Sequence, residues 1–311
     1  LSAECECLIP WGNAATTPAD LQSESFRAAL FESDAVIVRL FQIKSQDIQK
    51  VQRLKVIGKH GVGVDNIDCQ AATAAGIPVV FTPTANANAV AEHTLALMFA
   101  LVRQISPASQ ALMQGRFHER GKFKGVELAG KTLGVIGLGR IGQKVAQMAS
   151  QGLQMDVLAY DPFVPKDTLS NLVIIEDSLE SLMRKADFLT LHIPLAEDTR
   201  HLINEQSLGW VKPSCRIINT SRGSVIDEAA LAQALSKGTL AGAALDVFEV
   251  EPLPIDHLLM NAPNTLLTPH ISSSTQESLE NMSLQAAQGV LDVLHGNTPK
   301  YIVNPEALKQ T

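Results

Sequence analysis

KTLGVIGLGRIGQKVAQMASQGLQMDVLAYD, residues 131–161, is the stretch that decides the fold. It opens with an apolar run at 133–136, short enough for a buried strand. Gly137, Gly139 and Gly142 follow in the spacing GxGxxG. Helical periodicity through Ile141, Val145 and Met148 then runs to a stop at Gly152, and a second apolar run at 157–160 ends in Asp161. Each glycine has a task in a strand–turn–helix of this kind. Gly137 permits the tight turn, Gly139 lets bare backbone approach a pyrophosphate, and Gly142 lets the helix pack closely on the strand. The unpaired N–H groups and the dipole at the helix start then hold the phosphates.

A GxGxxG alone is a weak signal. Here strand, glycines, helix, second strand and terminal acid come in the required order, the context that turns the motif into a dinucleotide site. A carboxylate at Asp161 accepts hydrogen bonds from the adenosine ribose hydroxyls and repels a 2′-phosphate, so NAD is expected over NADP. Lys166 lies near enough in sequence to moderate that preference.

Composition narrows the rest. A chain of 311 residues suits two domains, and 46% hydrophobic with 18% charged residues describes an ordinary globular protein. A formal net charge of −7 argues against a nucleic-acid partner held by a basic surface. Cys5, Cys7, Cys69 and Cys215 lack a paired metal-ligand pattern, so free thiols and no metal site are expected. The longest apolar run, 95–102 with Thr94 before it, falls well short of a bilayer span, and no membrane partner is expected. No signal peptide is visible, so cytoplasm is the default expectation, although a start at Leu1 leaves room for a removed leader.

Before the motif, runs at 35–40, 55–58 and 77–81 read as strands, with the glycine loop HGVGVDN at 60–66 and a short helix ending at Gly76. Residues 84–106 read as one long helix, with Val90, Leu97, Met98, Leu101 and Ile105 at helical spacing and Asn86 or Asn88 as cap. Residues 107–130, broken by Pro107, Gly115, Gly121, Gly125 and Gly130, read as a partly irregular connection. After the motif, strands are expected at 173–175, 188–193, 216–220, 242–247 and 265–268. Helices follow Ser178 and the capping Asp227, and a last long one spans 275–295. Strands separated by helices make a parallel sheet. The expected architecture is α/β: a doubly wound Rossmann NAD domain at 87–273, plus a smaller flavodoxin-like α/β substrate domain from 1–86 and 274–311.

Three segments stand at the C-terminal ends of expected strands: NTSRG (219–223), LDVFEVEP (245–252) and LTPHI (267–271). Ligands of open α/β sheets bind at that edge, so Arg222, Asp246, Glu251 and His270 are expected to converge there. Moving a hydride to or from a carbonyl carbon requires a proton to move at its oxygen, which suits a histidine. A carboxylate orients the imidazole, and an arginine grips a substrate carboxylate in a fork and polarises the carbonyl. Singly, each residue has an ordinary reading: Arg222 as a surface ion pair, His270 as a loop residue, Glu251 as turn chemistry. Backbone N–H groups of Gly61, Val62 and Gly63 suit a carboxylate in a nest-like turn. His192 follows a strand and is expected to line the cofactor site, while His60, His93, His118, His201, His257 and His295 show no partner pattern.

Taken together, GLGRIG (137–142), the acid of AYDPF (159–163), LHIPL (191–195), INTSRG (218–223), ALDVFEVEP (244–252) and TPHI (268–271) resemble the D-isomer-specific 2-hydroxyacid dehydrogenases. GVGVDNID (61–68) and NANAVAEHT (86–94) match the first domain of that family. The likeness is greatest to its phosphoglycerate dehydrogenase-like branch without the regulatory tail. The resemblance implies that Arg222 binds substrate and polarises its carbonyl, that His270 is the general acid/base, and that Glu251 is its partner. It puts Asp246 near the nicotinamide carboxamide, Arg140 and Ile141 at the pyrophosphate, and Thr220 and Ser221 along the cofactor. Arg39 and Asn86 match substrate-side positions; each also has an ordinary reading, as an ion-pair residue and a helix cap. The implied cofactor is NAD, the implied partner a small 2-hydroxy or 2-oxo acid, and the implied assembly a homodimer through 88–131. An NAD-sensing, corepressor-like binding protein of the same fold is the alternative. Two departures stand out: the bulky Leu40-Phe41-Gln42-Ile43-Lys44 after Arg39, and Ser272-Ser273-Ser274 where the family often has Gly or Ala.

Overall fold

A computed structural model of the protein describes residues 1, 3–8, 24–169 and 171–309. The chain divides into two units, Leu1–Asn86 with Thr275–Thr311, and Ala87–Ser274. In the first unit, α1 (Glu24–Glu32), β1 (Ala35–Val38), α2 (Ser45–Ile48), β2 (Val56–Lys59), α3 (Cys69–Ala74) and β3 (Val79–Val80) alternate, and the strands pair in parallel in the order β1-β2-β3. Phe26, Leu30, Val38, Phe41, Ile57 and Val79 belong to its core. Asp68 starts α3 by accepting the Ala71 N–H at 2.9 Å, which satisfies one of the helix's orphan donors.

The second unit contains α4 (Ala87–Val102), α5 (Ile105–Met113), β4 (Thr132–Ile136), α6 (Arg140–Gln147), β5 (Asp156–Tyr160), β6 (Ile174–Ile175), α7 (Leu179–Lys185), β7 (Phe188–Leu191), α8 (Glu205–Leu208), β8 (Arg216–Asn219), α9 (Glu228–Lys237), β9 (Gly242–Leu245) and β10 (Thr265–Leu267). Its described strands form one parallel sheet in the order β10-β9-β8-β7-β4-β5-β6. The chain winds outward from β4 through β5 to β6, then returns to the other side of β4 at β7. That reversal makes the β4/β7 boundary the switch point where such sheets bind ligands. Leu133, Leu189, Ile217 and Ala243 are fully buried, as expected for strands covered on both faces, which is why these strands read as continuous apolar runs. The last helix, α10 (Gln276–Leu294), belongs to the first unit and packs on β2. A Cβ at Gly58 would stand 2.8 Å from Val290 Cγ2 of α10, so the absence of a side chain there sets how closely helix and strand approach. Asn304 fastens the following segment to the same unit by accepting the Val79 N–H at 2.7 Å and donating to Ile77 O at 3.0 Å.

The long helix expected at 84–106 is in fact two. α4 ends at Val102, Gln104 takes a left-handed conformation (φ 52°), and α5 resumes at Ile105. Residues 107–113, read as the start of a partly irregular connection, are therefore helical. Pro107 lies in the first turn of α5, where a missing N–H leaves no helical bond unmade. The expected asparagine cap is also absent: Asn88 Nδ2 donates to Glu92 within α4, and Asn86 Oδ1 is buried without a hydrogen-bond partner among the described residues. Elsewhere the strands begin or end within a few residues of the expected runs, and Arg39 falls just beyond β1 rather than inside it.

Candidate active site

Register places one row of residues across the sheet of the second unit. Tyr160, Ile136, Leu191, Asn219, Leu245 and Leu267 are aligned on successive neighbouring strands β5, β4, β7, β8, β9 and β10. The residues that follow them, Asp161, Gly137, His192, Thr220, Asp246 and Thr268, therefore stand at a common edge. Six segments far apart in sequence are brought to one line by pairing alone.

At the switch point Gly137 has φ +90°, and a Cβ on it would lie 2.6 Å from His192 O. A Cβ on Gly142 would lie 2.1 Å from Gly137 O, so the first turn of α6 packs against the Gly137 turn only with glycine at 142. Gly139 differs: nothing stands within 4 Å of where its Cβ would be, which leaves open backbone at the N-terminus of α6. Exposed Arg140 and half-buried Ile141 begin that helix, whose first N–H groups have no intrahelical acceptor. Asp161 is tied to this turn, accepting Leu138 N–H at 2.8 Å with Oδ2 and Phe163 N–H at 2.9 Å with Oδ1. Lys166, expected to moderate Asp161, pairs with Asp177 instead. His192 shares a 2.9 Å hydrogen bond with Thr190 Oγ1, and burial pushes its pKa down to about 3, so it is a neutral ring across the physiological range. Open backbone at a helix start, with a carboxylate just past the end of the neighbouring strand β5, fits a dinucleotide.

The next loop is closed by buried Asn219. Its Oδ1 accepts the Ser221 N–H at 2.9 Å and Oγ–H at 2.8 Å, and its Nδ2 donates to Arg222 O at 2.9 Å. Thr220 Oγ1 bonds to Thr94 Oγ1 of α4 at 2.9 Å. Half-buried Arg222 donates to Ser221 O from Nη1 at 2.6 Å. After it, a Cβ on Gly223 would overlap the Phe248 carbonyl carbon at 1.8 Å, so the Arg222 loop lies directly on the loop carrying Glu251.

Glu251 and His270 meet. Oε2 stands 2.7 Å from His270 Nδ1, while Oε1 accepts the Phe248 N–H at 3.0 Å. The side chains remain 35% and 38% exposed, enough to be reached by a small molecule. His270 holds an uncommon left-handed conformation (φ 53°), and its N–H donates to Asp246 O at 2.9 Å. Asp246, expected near the nicotinamide, is fully buried, with its carboxylate accepting Thr268 Oγ–H at 2.6 Å, Ile271 N–H at 2.9 Å and Ser272 N–H at 2.8 Å. Burial opposes its charge, but hydrogen bonds from His93, Thr268, Ile271 and Ser272 outweigh it and hold the pKa near about 2. In this structure Asp246 fixes the loop that presents His270.

Several partners escaped sequence reasoning. His93 Nε2 is 3.3 Å from Thr268 Oγ1 and 3.6 Å from Asp246 Oδ1, beside the His270 loop. His201 pairs with Glu249, His257 with Glu228, and His295 with Glu4, so the expectation that these histidines lack partners is corrected. His60 Nε2 is 3.1 Å from Ser283 Oγ, and burial followed by the charge of Arg39 lowers its pKa. In the first unit, Gly61 has φ +145° and gives its N–H to Thr82 Oγ1 at 3.1 Å, which reduces the expected nest to Val62 and Gly63. Buried Lys59 donates to Arg39 O at 2.6 Å and Asn66 Oδ1 at 2.5 Å, holding the chain on which exposed Arg39 sits. All four cysteines are free thiols. Among the described residues no group of His, Cys, Asp or Glu could hold a metal ion, and no described helix is long and apolar enough to cross a membrane.

A family profile described as "D-isomer specific 2-hydroxyacid dehydrogenase, NAD binding domain" matches residues 95–272. D-3-phosphoglycerate dehydrogenase of Methanocaldococcus jannaschii is 42% identical over 292 residues, covering 93% of this chain and 55% of that protein. The chain spans about half the length of the curated relatives it matches. Among solved structures, TT0316 protein from Thermus thermophilus superposes with a TM-score of 0.84 at 35% identity, covering 93% of this chain and 91% of that one. D-lactate dehydrogenase from Aquifex aeolicus, complexed with NAD and lactic acid, gives 0.78 at 30% identity, with 89% of each chain covered. The sheet order, the glycine turn at the switch point and these matches agree: the chain belongs to the D-isomer specific 2-hydroxyacid dehydrogenase family, and residues 95–272 match its NAD-binding domain.

Proposed function

We propose that this chain is an NAD-dependent oxidoreductase interconverting a small 2-hydroxy acid and its 2-oxo acid, of the phosphoglycerate/hydroxypyruvate type or a related D-2-hydroxyacid. The observation that carries the reading is the 2.7 Å contact between Glu251 Oε2 and His270 Nδ1 at the sheet edge that also bears the Gly137 turn. Bound NAD supplies the hydride acceptor. Glu251 engages Nδ1, which leaves Nε2 of His270 to take the hydroxyl proton in oxidation or return it in reduction. Arg222 grips the carboxylate and draws charge from the carbonyl oxygen. Val62, Gly63, Arg39 and Asn86 are the proposed contacts on the substrate side. Residues 87–273 act as the NAD domain, and 1–86 with 274–311 as the substrate domain. Asp161 favours NAD over NADP, since its nearest expected counter-charge, Lys166, is engaged elsewhere. A homodimer is proposed through 88–131, supported by the exposed apolar side chains of Ile105, Leu112, Met113 and Phe117.

The test is a panel of 2-oxo acids assayed with NADH and NADPH. His270→Ala is expected to lower turnover of the best substrate roughly 10²- to 10⁴-fold. Near-full turnover in the variant would remove His270 from the chemistry. Tight NAD binding with no turnover on any acid would favour the sensor reading.

A further inference from the structure

Two further carboxylates are laced together next to the catalytic pair. Glu228 opens α9, and Glu249 lies in the loop after β9, two residues before Glu251. Each receives the backbone N–H of the other: Glu228 Oε1 accepts from Glu249 N at 2.9 Å, and Glu249 Oε1 from Glu228 N at 3.4 Å. Two rings and one cation from two other segments face the same carboxylates. His257 Nε2 is 3.2 Å from Glu228 Oε2, His201 Nε2 is 3.0 Å from Glu249 Oε1, and Arg200 is 3.9 Å from Glu249 Oε2. His257 Nδ1 accepts the Leu259 N–H at 3.3 Å, which assigns the ring proton to Nε2 and directs it at Glu228.

This arrangement is an expensive way to hold two loops together. Glu228 is only 5% exposed, and burial, with the neighbouring charges of Glu249 and Glu251, pushes its pKa up despite the N–H of Glu249 and the ring of His257. A buried carboxylate such as Glu228 adds little to stability compared with an apolar side chain, so its use points to geometry rather than to strength. The geometry is specific. Phe248 N–H holds Glu251 Oε1, and the adjacent Glu249 N–H is the one captured by Glu228. α9 also follows the Arg222 loop directly, with Asp227 capping it through the Ala230 N–H at 3.0 Å. One reciprocal pair therefore joins the segment bearing Arg222 to the turn bearing Glu251.

We propose that Glu228 and Glu249 are positioning residues that lock the 248–251 turn so that Glu251 presents Oε2 to His270. The inference rests on the reading of Glu251 and His270 as the proton-handling pair. Glu228 and Glu249 touch no reacting atom; they act through Glu251.

The experiment is a mutant cycle on the full chain, with NADH and the best 2-oxo acid of the panel. Glu228→Ala and Glu249→Ala should each lower kcat roughly 10- to 100-fold, the scale of a small misplacement of a catalytic group, with KM for NADH within about twofold. Glu228→Gln keeps an oxygen for the Glu249 N–H and should recover part of the loss. In a Glu251→Gln background, adding either alanine should change kcat by less than about twofold, because residues acting through one another are not additive. Full additivity, or unchanged kcat in the alanine variants, overturns the positioning role. If Glu228→Ala fails to fold by near-ultraviolet circular dichroism, Glu249→Ala alone and in the Glu251→Gln background decides in the same way. Undiminished turnover in Glu251→Gln would instead overturn the underlying reading of the pair. A crippled Glu251→Gln beside fully active Glu228→Ala and Glu249→Ala would overturn only the positioning.

Discussion

His192 shows how much a single residue's role depends on its surroundings. By type it is a titrating group, yet burial holds its pKa near about 3, well under the ordinary 6.5. The sign of the linkage follows from the unfolded chain taking up a proton before the folded one does. The stability associated with neutral His192 is complete above about pH 6.5 and is lost as pH falls toward 3. At pH 5 the loss from this group is on the order of 2 kcal/mol, at about 1.4 kcal/mol for each pH unit below the unfolded pKa. His192→Asn is expected to show a smaller drop in urea midpoint between pH 7 and pH 5 than the native chain; equal drops would exclude His192 as the source. At the same scale, Arg222, Glu251 and His270 were legible as types at strand ends, and the resemblance supplied their roles. The task of Asp246 was not legible, because its donors come from Thr268, Ile271, Ser272 and His93. A carboxylate's function is set by what donates to it, and three of those donors arrive from the next strand's loop.

Elements were read well where periodicity is local and poorly where a helix is broken without a change of composition. The GLGRIG unit came out as strand, turn and helix because its apolar runs and glycines carry the period themselves. The break between α4 and α5 has no glycine to announce it; the left-handed Gln104 makes it. Loop contacts between elements are a further kind of information. Gly223 reads as one more turn glycine, but a side chain there would meet the Phe248 carbonyl carbon at 1.8 Å and its oxygen at 2.1 Å. Since both partners are backbone, no side-chain rotation relieves the overlap. Gly223→Ala is expected to destabilise the chain by roughly 1–3 kcal/mol, the usual range for overpacking. It should also lower kcat, because the shift separates the Arg222 and Glu251 loops. Urea denaturation and steady-state kinetics on the same preparation test this; native values of both would show that the loops part freely.

For the whole molecule, the proposed homodimer makes the surface of α4 and α5 the place to probe. Ile105 and Leu112 are seven residues apart, hence on one face of α5, and are 53% and 60% exposed; Met113 is 77% exposed. Sedimentation at assay concentration should give a dimer for the native chain and a monomer for Leu112→Glu/Met113→Glu. A native monomer would dismiss the assembly. By itself the sequence determined the alternation of strands and helices, the dinucleotide turn, the acid at Asp161 and the candidate Arg–Glu–His set. Those features are written in short-range period, in glycine spacing and in residue type, all of which survive in one dimension. Only the tertiary structure decided which strand ends stand in one row, that Asp246 ties down the loop presenting His270, that Gly61 has already given away its N–H, and that Glu228 and Glu249 clasp one another. The physical reason is the same in each case: a hydrogen bond between segments distant in sequence depends on how strands pair and loops lie, and it imposes no period on the chain that makes it.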